Sequence, residues 1–175
     1  MKIHDVRSFA VGAWVDCNEA ARTIHSAITG DAIARAGNDK LAVTGMLEYA
    51  KNIGGQNLRK LSFHDRAKML KAVAQKLTEH KKALYDLSFS TGSTQKDHLF
   101  DIDGGIGTLF AYSSMARREM PNSDIYLDGK VERLSSNGTF LGQHVCTSRK
   151  GVAIHVNAFN FPVWGMLEKL APAFL

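Results

Sequence analysis

Cysteine and proline are scarce in this chain. Of 175 residues only Cys17 and Cys146 are cysteines, and only Pro121, Pro162 and Pro172 are prolines. The two thiols are far apart and form no C-x-x-C pair, which argues against a disulfide framework and against a cysteine-based zinc site. Both are expected as free thiols in a reducing compartment. The seven histidines, at 4, 25, 64, 80, 98, 144 and 155, show no H-E-x-x-H or comparable spacing, so no metal is expected. Asp101 and Asp103 lack the further oxygen ligands of a calcium loop. No apolar run approaches the roughly 20 residues needed to cross a bilayer, and Met1 to Cys17 has no long apolar stretch ahead of a cleavage site. The expectation is a cytoplasmic protein with no membrane partner.

Charge of one sign is also not concentrated. The 22 Lys and Arg exceed the 17 Asp and Glu by five, but the basic residues are spread along helices apart from one cluster at His80, Lys81 and Lys82. No basic stripe is interleaved with aromatics, so no nucleic-acid partner is expected. Phosphate-bearing cofactors or acyl-CoA remain compatible with the balance.

What is present is an ordinary globular composition, 45% hydrophobic and 22% charged. Short strands are predicted over Ser8 to Val15, Thr23 to Ile28 and Ala32 to Ala36, with Thr29-Gly30-Asp31 as the turn between the last two. Lys40 to Ile53 has partial helical spacing and should end at Gly54-Gly55. Ser62, with Asp65 three residues on, caps a helix whose predicted inner face is Leu70, Val73, Ala74 and Leu77. A helix over Lys81 to Ser90 points Leu84 and Leu87 inward and stops at Thr91-Gly92. Another begins at Asp97 and carries Ile102, Ile106, Leu109 and Phe110. Its Gly104 to Gly107 run has no preceding strand, so close helix packing fits better than a phosphate loop. Asn137-Gly138 signals a hairpin with both central residues at positive φ, pairing Lys130 to Leu134 with Thr139 to Thr147.

The most informative stretch is Gly151 to Pro162, G-V-A-I-H-V-N-A-F-N-F-P. Val152 to Val156 reads as a largely buried strand, Asn157 to Asn160 as a turn, and Pro162 as the first turn of a helix. A strand that ends in a turn and feeds a helix N-terminus is where open α/β sheets bind ligands. Asn160 is either a group acting in such a site or a helix cap. His155 beside it is read as a packing residue. The helix that follows carries Leu167, Leu170 and Phe174, which require a partner surface, and no Gly stops it.

The run N-A-F-N-F-P-V-W-G-M-L-E-K-L-A-P-A resembles the signature of the aldehyde dehydrogenase family, with Asn160, Phe161, Pro162, Lys169, Leu170, Pro172 and Ala173 matching. The resemblance extends over almost the whole chain, including L-S-F-H-D-R-A at Leu61 to Ala67. S-T-G-S-T near Thr91 and D-I-D-G-G-I-G-T-L-F at Asp101 to Phe110 are similar to one branch, the bifunctional enzymes of phenylacetate degradation that join a ring-opened oxepin-CoA hydrolase to a semialdehyde dehydrogenase.

The resemblance implies an α/β fold: the N-terminal part of an aldehyde dehydrogenase, truncated within its Rossmann-like cofactor region. It implies residues 1–122 as a helical and β part of the cofactor domain, 123–150 as a hairpin arm that joins subunits of a homo-oligomer, and 151–175 as the first strand and helix of the cofactor region. From sequence alone the hairpin could equally fold onto its own domain. Asn160 would be an oxyanion donor and Lys169 a proton-relay residue, or else a plain charge on an amphipathic helix. Val156, Asn157, Ala158 and Phe159 would line NADP or NAD in the complete parent. Ala158 and Phe159 stand where the family commonly has Pro-Trp. Neither Cys17 nor Cys146 occupies the position of the family's nucleophile, which lies downstream together with the general-base glutamate. The parent would oxidise a CoA-linked semialdehyde. The alternatives are a fragment of the benzoate-pathway CoA-semialdehyde dehydrogenase and a non-catalytic remnant acting as an interaction module.

Overall fold

The computed structural model describes residues 3–18 and 20–175. Five short strands come first: β1 (His4–Asp5), β2 (Ser8–Ala10), β3 (Ala13–Val15), β4 (Arg22–His25) and β5 (Ala32–Ala36). The single strand expected over Ser8 to Val15 is a hairpin. Val11 and Gly12 take φ of 51° and 81°, the two left-handed positions that reverse a chain with the twist strands prefer. Phe9 then lies opposite Trp14, with ring centroids 5.2 Å apart. β4 and β5 pair antiparallel about the expected turn, but β4 stops at His25 because Ser26 folds back. Its hydroxyl accepts from the amides of Ile28 and Thr29, both at 3.3 Å. β1 adds parallel to β5, and Arg35 donates from Nε and Nη2 to the two carboxylate oxygens of Asp5, each at 2.8 Å.

The helical part follows. α1 (Val43–Tyr49), a π-helical turn (Ala50–Gly54) and α2 (Gly55–Arg59) run on continuously. Gly54-Gly55 therefore does not end the helix; with φ of −58° and −64° both glycines stay right-handed and mark only a change of hydrogen-bond register. α3 (Phe63–Glu79) starts where expected, its Asp65 amide donating to the Ser62 hydroxyl at 3.1 Å. α4 (Lys81–Ser88) closes in a 3-10 turn and Gly92 at φ 88°. α5 (Gln95–His98) begins two residues before Asp97, because Thr94 and Asp97 form a reciprocal capping box. A π-helical turn over Leu99–Asp103 leads into α6 (Gly104–Glu119), and α7 (Pro162–Phe174) ends the chain.

The core lies among α3, α6 and α7. Leu70 and Ala74 meet Ile102, Ile106 and Leu109, which meet Leu167 and Ala171. Spacing of three and four fixes each stripe. Two assignments change: Val73 is 43% exposed, since the buried face of α3 passes through Ala67, Leu70 and Ala74, one step round from Val73, and Leu87 on α4 is 63% exposed. The partner that Leu167, Leu170 and Phe174 require is supplied within the chain. The glycines at the head of α6 permit this. A Cβ on Gly104 would stand 2.8 Å from the Trp164 ring, and one on Gly105 would stand 3.1 Å from the backbone of Val163 and Trp164.

β6 (Ile125–Arg133) and β7 (Leu141–Thr147) form a separate two-stranded hairpin. β6 begins earlier than expected and carries an irregularity between Asp128 and Glu132. At the turn only Gly138 has positive φ, 72°. Asn137 instead uses its side chain, which accepts from the Thr139 amide at 3.2 Å and the Thr139 hydroxyl at 2.7 Å. Leu127, Val131, Phe140 and Val145 are exposed, so these apolar side chains do not fold onto the helices.

The strand predicted over Val152 to Val156 is absent from the described structure: 152–158 has no ladder. Val152, Ile154 and Val156 are exposed. A strand apolar on both faces needs neighbours, and no described strand lies beside this one.

Three measurements check this packing. Gly105→Ala should destabilise by about 1–3 kcal/mol in urea unfolding, because its Cβ meets backbone that cannot step aside. Gly107, with nothing within 4 Å of its would-be Cβ, should gain about 0.5–1 kcal/mol on replacement by Ala. The third concerns Asp103, which accepts from the Tyr85 hydroxyl at 2.6 Å and pairs with Lys81. Burial pushes its carboxyl up, but Lys81 and Tyr85 outweigh burial and hold it below the usual carboxylate range. A carboxyl lowered in the fold binds more protons when unfolded. Its stabilising contribution is therefore full above the unfolded value and lost as pH falls through the folded one, a dependence that Asp103→Asn should remove from an acid titration of stability.

Candidate functional site

α7 is set in place at its N-terminus. Pro162 occupies the first turn, where a missing amide hydrogen is harmless. The first turn of a helix leaves amides without partners, and here a different helical segment answers one of them. Asp101, 5% exposed, accepts from the Trp164 amide through Oδ1 at 2.7 Å. A carboxylate at this end also meets the positive pole of the helix. Trp164 is fixed further by its indole, which donates to Glu168 at 2.9 Å.

Asn160 precedes this helix. The N-cap is Phe161, with no side-chain capping bond, so the capping alternative for Asn160 is not realised. Its side chain is exposed and makes no hydrogen bond among the described residues. An amide left in this way keeps its N–H groups available to an oxygen outside the chain. Lys169 is held differently: its ammonium donates to the Gly165 carbonyl at 2.7 Å and lies 3.5 Å from Glu168. The rise of α7 separates it from Pro162 by about 10 Å. Lys169 lies within the helix and Asn160 ahead of it, and no hydrogen bond joins the two side chains.

Val156 and Phe159 are each 86% exposed and Asn157 and Ala158 are exposed, within the extended run that leads to Asn160. His155 is half-buried. Among the described residues no group of three His, Cys, Asp or Glu side chains could hold a metal. Cys17 is half-buried and Cys146 exposed. Cys146 lines a cleft of about 690 Å³ together with Pro172, Ala173 and Leu175, at the end of α7 opposite Asn160. With about 18 Å of helix between the two ends, this thiol does not serve the Asn160 site.

Asp101 was not identified from sequence as the anchor of α7. The signal is an acidic residue three positions before a glycine pair on a helix, together with a proline-started helix that lacks a capping side chain of its own. Asp101→Ala should cost about 2 kcal/mol in chemical unfolding, since it removes a charge-assisted bond and leaves the Trp164 amide unanswered. Asp101→Asn, which keeps an acceptor oxygen, should cost less than half as much.

Residues 14–175 match the aldehyde dehydrogenase family. The chain is 34% identical over 169 residues to a 3,4-dehydroadipyl-CoA semialdehyde dehydrogenase of Aromatoleum evansii, covering 96% of this chain and 33% of that protein. It thus spans about a third of the length of the curated relative it matches. The proline-started helix and its unbonded asparagine lie inside the matched region, and with nearly the whole sequence matched the chain belongs to the aldehyde dehydrogenase family.

Proposed function

We propose that this chain is the N-terminal portion of an NAD(P)-dependent aldehyde dehydrogenase that oxidises a CoA-linked semialdehyde to the acid. The observation that carries the reading is Asn160: an uncommitted amide at the head of a helix whose position is fixed by Asp101, Gly104 and Gly105. An amide donates without titrating, and a donor held by a rigid element needs no reorganisation when negative charge develops on a carbonyl oxygen. The name of the relative, a CoA-semialdehyde dehydrogenase, supports the substrate class. The motifs at Asp101 to Phe110 favour aerobic phenylacetate catabolism and a parent with a ring-opening hydrolase domain. The relative's name favours 3,4-dehydroadipyl-CoA semialdehyde as the alternative substrate.

A nicotinamide cofactor would accept hydride in such a reaction. Residues Val156, Asn157, Ala158 and Phe159 suit one wall of its site: their side chains are solvent-facing and 152–158 has no ladder partners. Lys169 would tune the hydrogen bonding near the helix head. In this reading the nucleophilic cysteine and the general base belong to the rest of the parent. Residues 1–122 support the site, 123–150 form an arm for a homo-oligomer, and 151–175 begin the cofactor region. The exposed apolar side chains of β6 and β7 favour the arm. They also support the second reading, a non-catalytic interaction module.

In the full-length enzyme, Asn160→Ala should lower kcat by about 10²–10³-fold, roughly 3–4 kcal/mol of transition-state stabilisation, with unfolding of the 175-residue chain unchanged. NAD(P)H formation with each of the two CoA semialdehydes decides the substrate. An unchanged rate in the variant removes the oxyanion role, and no turnover of any CoA-linked semialdehyde leaves the interaction module.

A further inference from the structure

A cleft of about 690 Å³ lies away from Asn160. It lies at the far end of α7 and is lined by four cations, Arg59, Arg66, Arg149 and Lys150, and by no acidic side chain. Arg59, Arg149 and Lys150 form no ion pair among the described residues. Arg66 is the unusual member. It is 4% exposed, and its Nε and Nη2 are buried without any hydrogen-bond partner. Its guanidinium lies 4.6 Å from the Phe63 ring centre, and its Nη1 makes one long bond, 3.4 Å, to the Ser148 hydroxyl.

Burial presses against the charged form of Arg66, with the nearby charge of Asp124 only partly offsetting it. Arginine does not respond by losing its proton, so the group stays charged and under-bonded. The unused Nε and Nη2 are the pair of donors that in Arg35 of this same chain grips both oxygens of Asp5. That edge is matched to a carboxylate.

We infer that this cleft is the seat of an acidic polypeptide segment from the rest of the dehydrogenase, whose carboxylate takes the free edge of Arg66. The inference rests on the reading that the chain is the N-terminal portion of a longer enzyme. A protein segment is favoured over a free anion because apolar side chains, among them Leu58, Phe63 and Leu175, line the cleft beside the cations. Such a surface needs apolar cover as well as charge. The matched residues make up only a third of the relative's length, so most of a full-length chain has yet to pack. Val152 and Ala153, in the run without a ladder, form part of the cleft wall, and that uncommitted backbone can shift to admit the segment.

The test compares Arg66→Leu in two contexts. In the 175-residue chain, removing an under-bonded buried charge should leave the melting temperature unchanged or raise it. In the full-length enzyme the same change should speed tryptic release of the N-terminal portion roughly tenfold, because it strands the carboxylate, and Arg66→Lys should restore part of the resistance. Carbodiimide treatment of full-length enzyme should join Lys150 to an acidic residue outside 1–175, a readout that holds even if the short variant fails to fold. The proposal is overturned if Arg66→Leu destabilises the short chain and leaves full-length proteolysis unchanged, or if Lys150 forms no crosslink beyond 1–175. It is also overturned if sodium acetate or inorganic phosphate raises the full-length melting temperature in an Arg66-dependent way, which would make the cleft a free-anion site. Wild-type enzyme inactive on every CoA semialdehyde would instead defeat the functional reading and leave these outcomes intact.

Discussion

Two positions without side chains let α7 lie directly against the head of α6, and a buried carboxylate fastens it there. Gly104 makes room for the Trp164 ring and Gly105 for the backbone beneath it, while Asp101 accepts the Trp164 amide. Close approach brings dispersion and burial together. The tertiary cap then adds direction, because a hydrogen bond to one particular amide fixes the rotation and the axial position of the helix. The core stripe through Leu167 and Ala171 and the outward setting of Asn160 both follow from that one placement.

Much of this was readable in the residues. Ser62 with Asp65 marks the start of α3, the Gly104 to Gly107 run reads as a packing site, and the hairpin after Pro121 has its turn at Asn137-Gly138. These features are decided within a few residues, by caps, glycines and turn chemistry. What was missed depends on partners far along the chain. Asp101 and Trp164 are 63 residues apart, and no local pattern announces their bond. Gly54-Gly55 looked like a stop, yet both glycines stayed helical, because glycine permits a left-handed exit without requiring one. Val152 to Val156 had the composition of a strand, but a strand is a property of pairs.

The candidate site divides in the same way. Its asparagine and proline were evident from the motif alone, and so was the helix they introduce. The forces that hold the helix were not, and neither was the cationic cleft at its other end, which assembles from α2, α3, β7, residues 148–153 and the end of α7. The exposed apolar residues of β6 and β7, the unpaired run 152–158 and the under-bonded Arg66 share one physical character. Each is a surface or group left without apolar cover or hydrogen bonds among the described residues.

Amide hydrogen exchange of the 175-residue chain tests the central claim most directly, since it reads the docking of α7 without any substitution. The Trp164 amide, although in the first turn of its helix, should be protected as strongly as the core amides of α3 and α6 near Leu70 and Leu109, and the amides of 152–158 should exchange close to the unstructured rate. Exchange of Trp164 and the α7 amides as fast as those of 152–158 would contradict the account, for it would mean that α7 is not fastened to α6 and does not position Asn160.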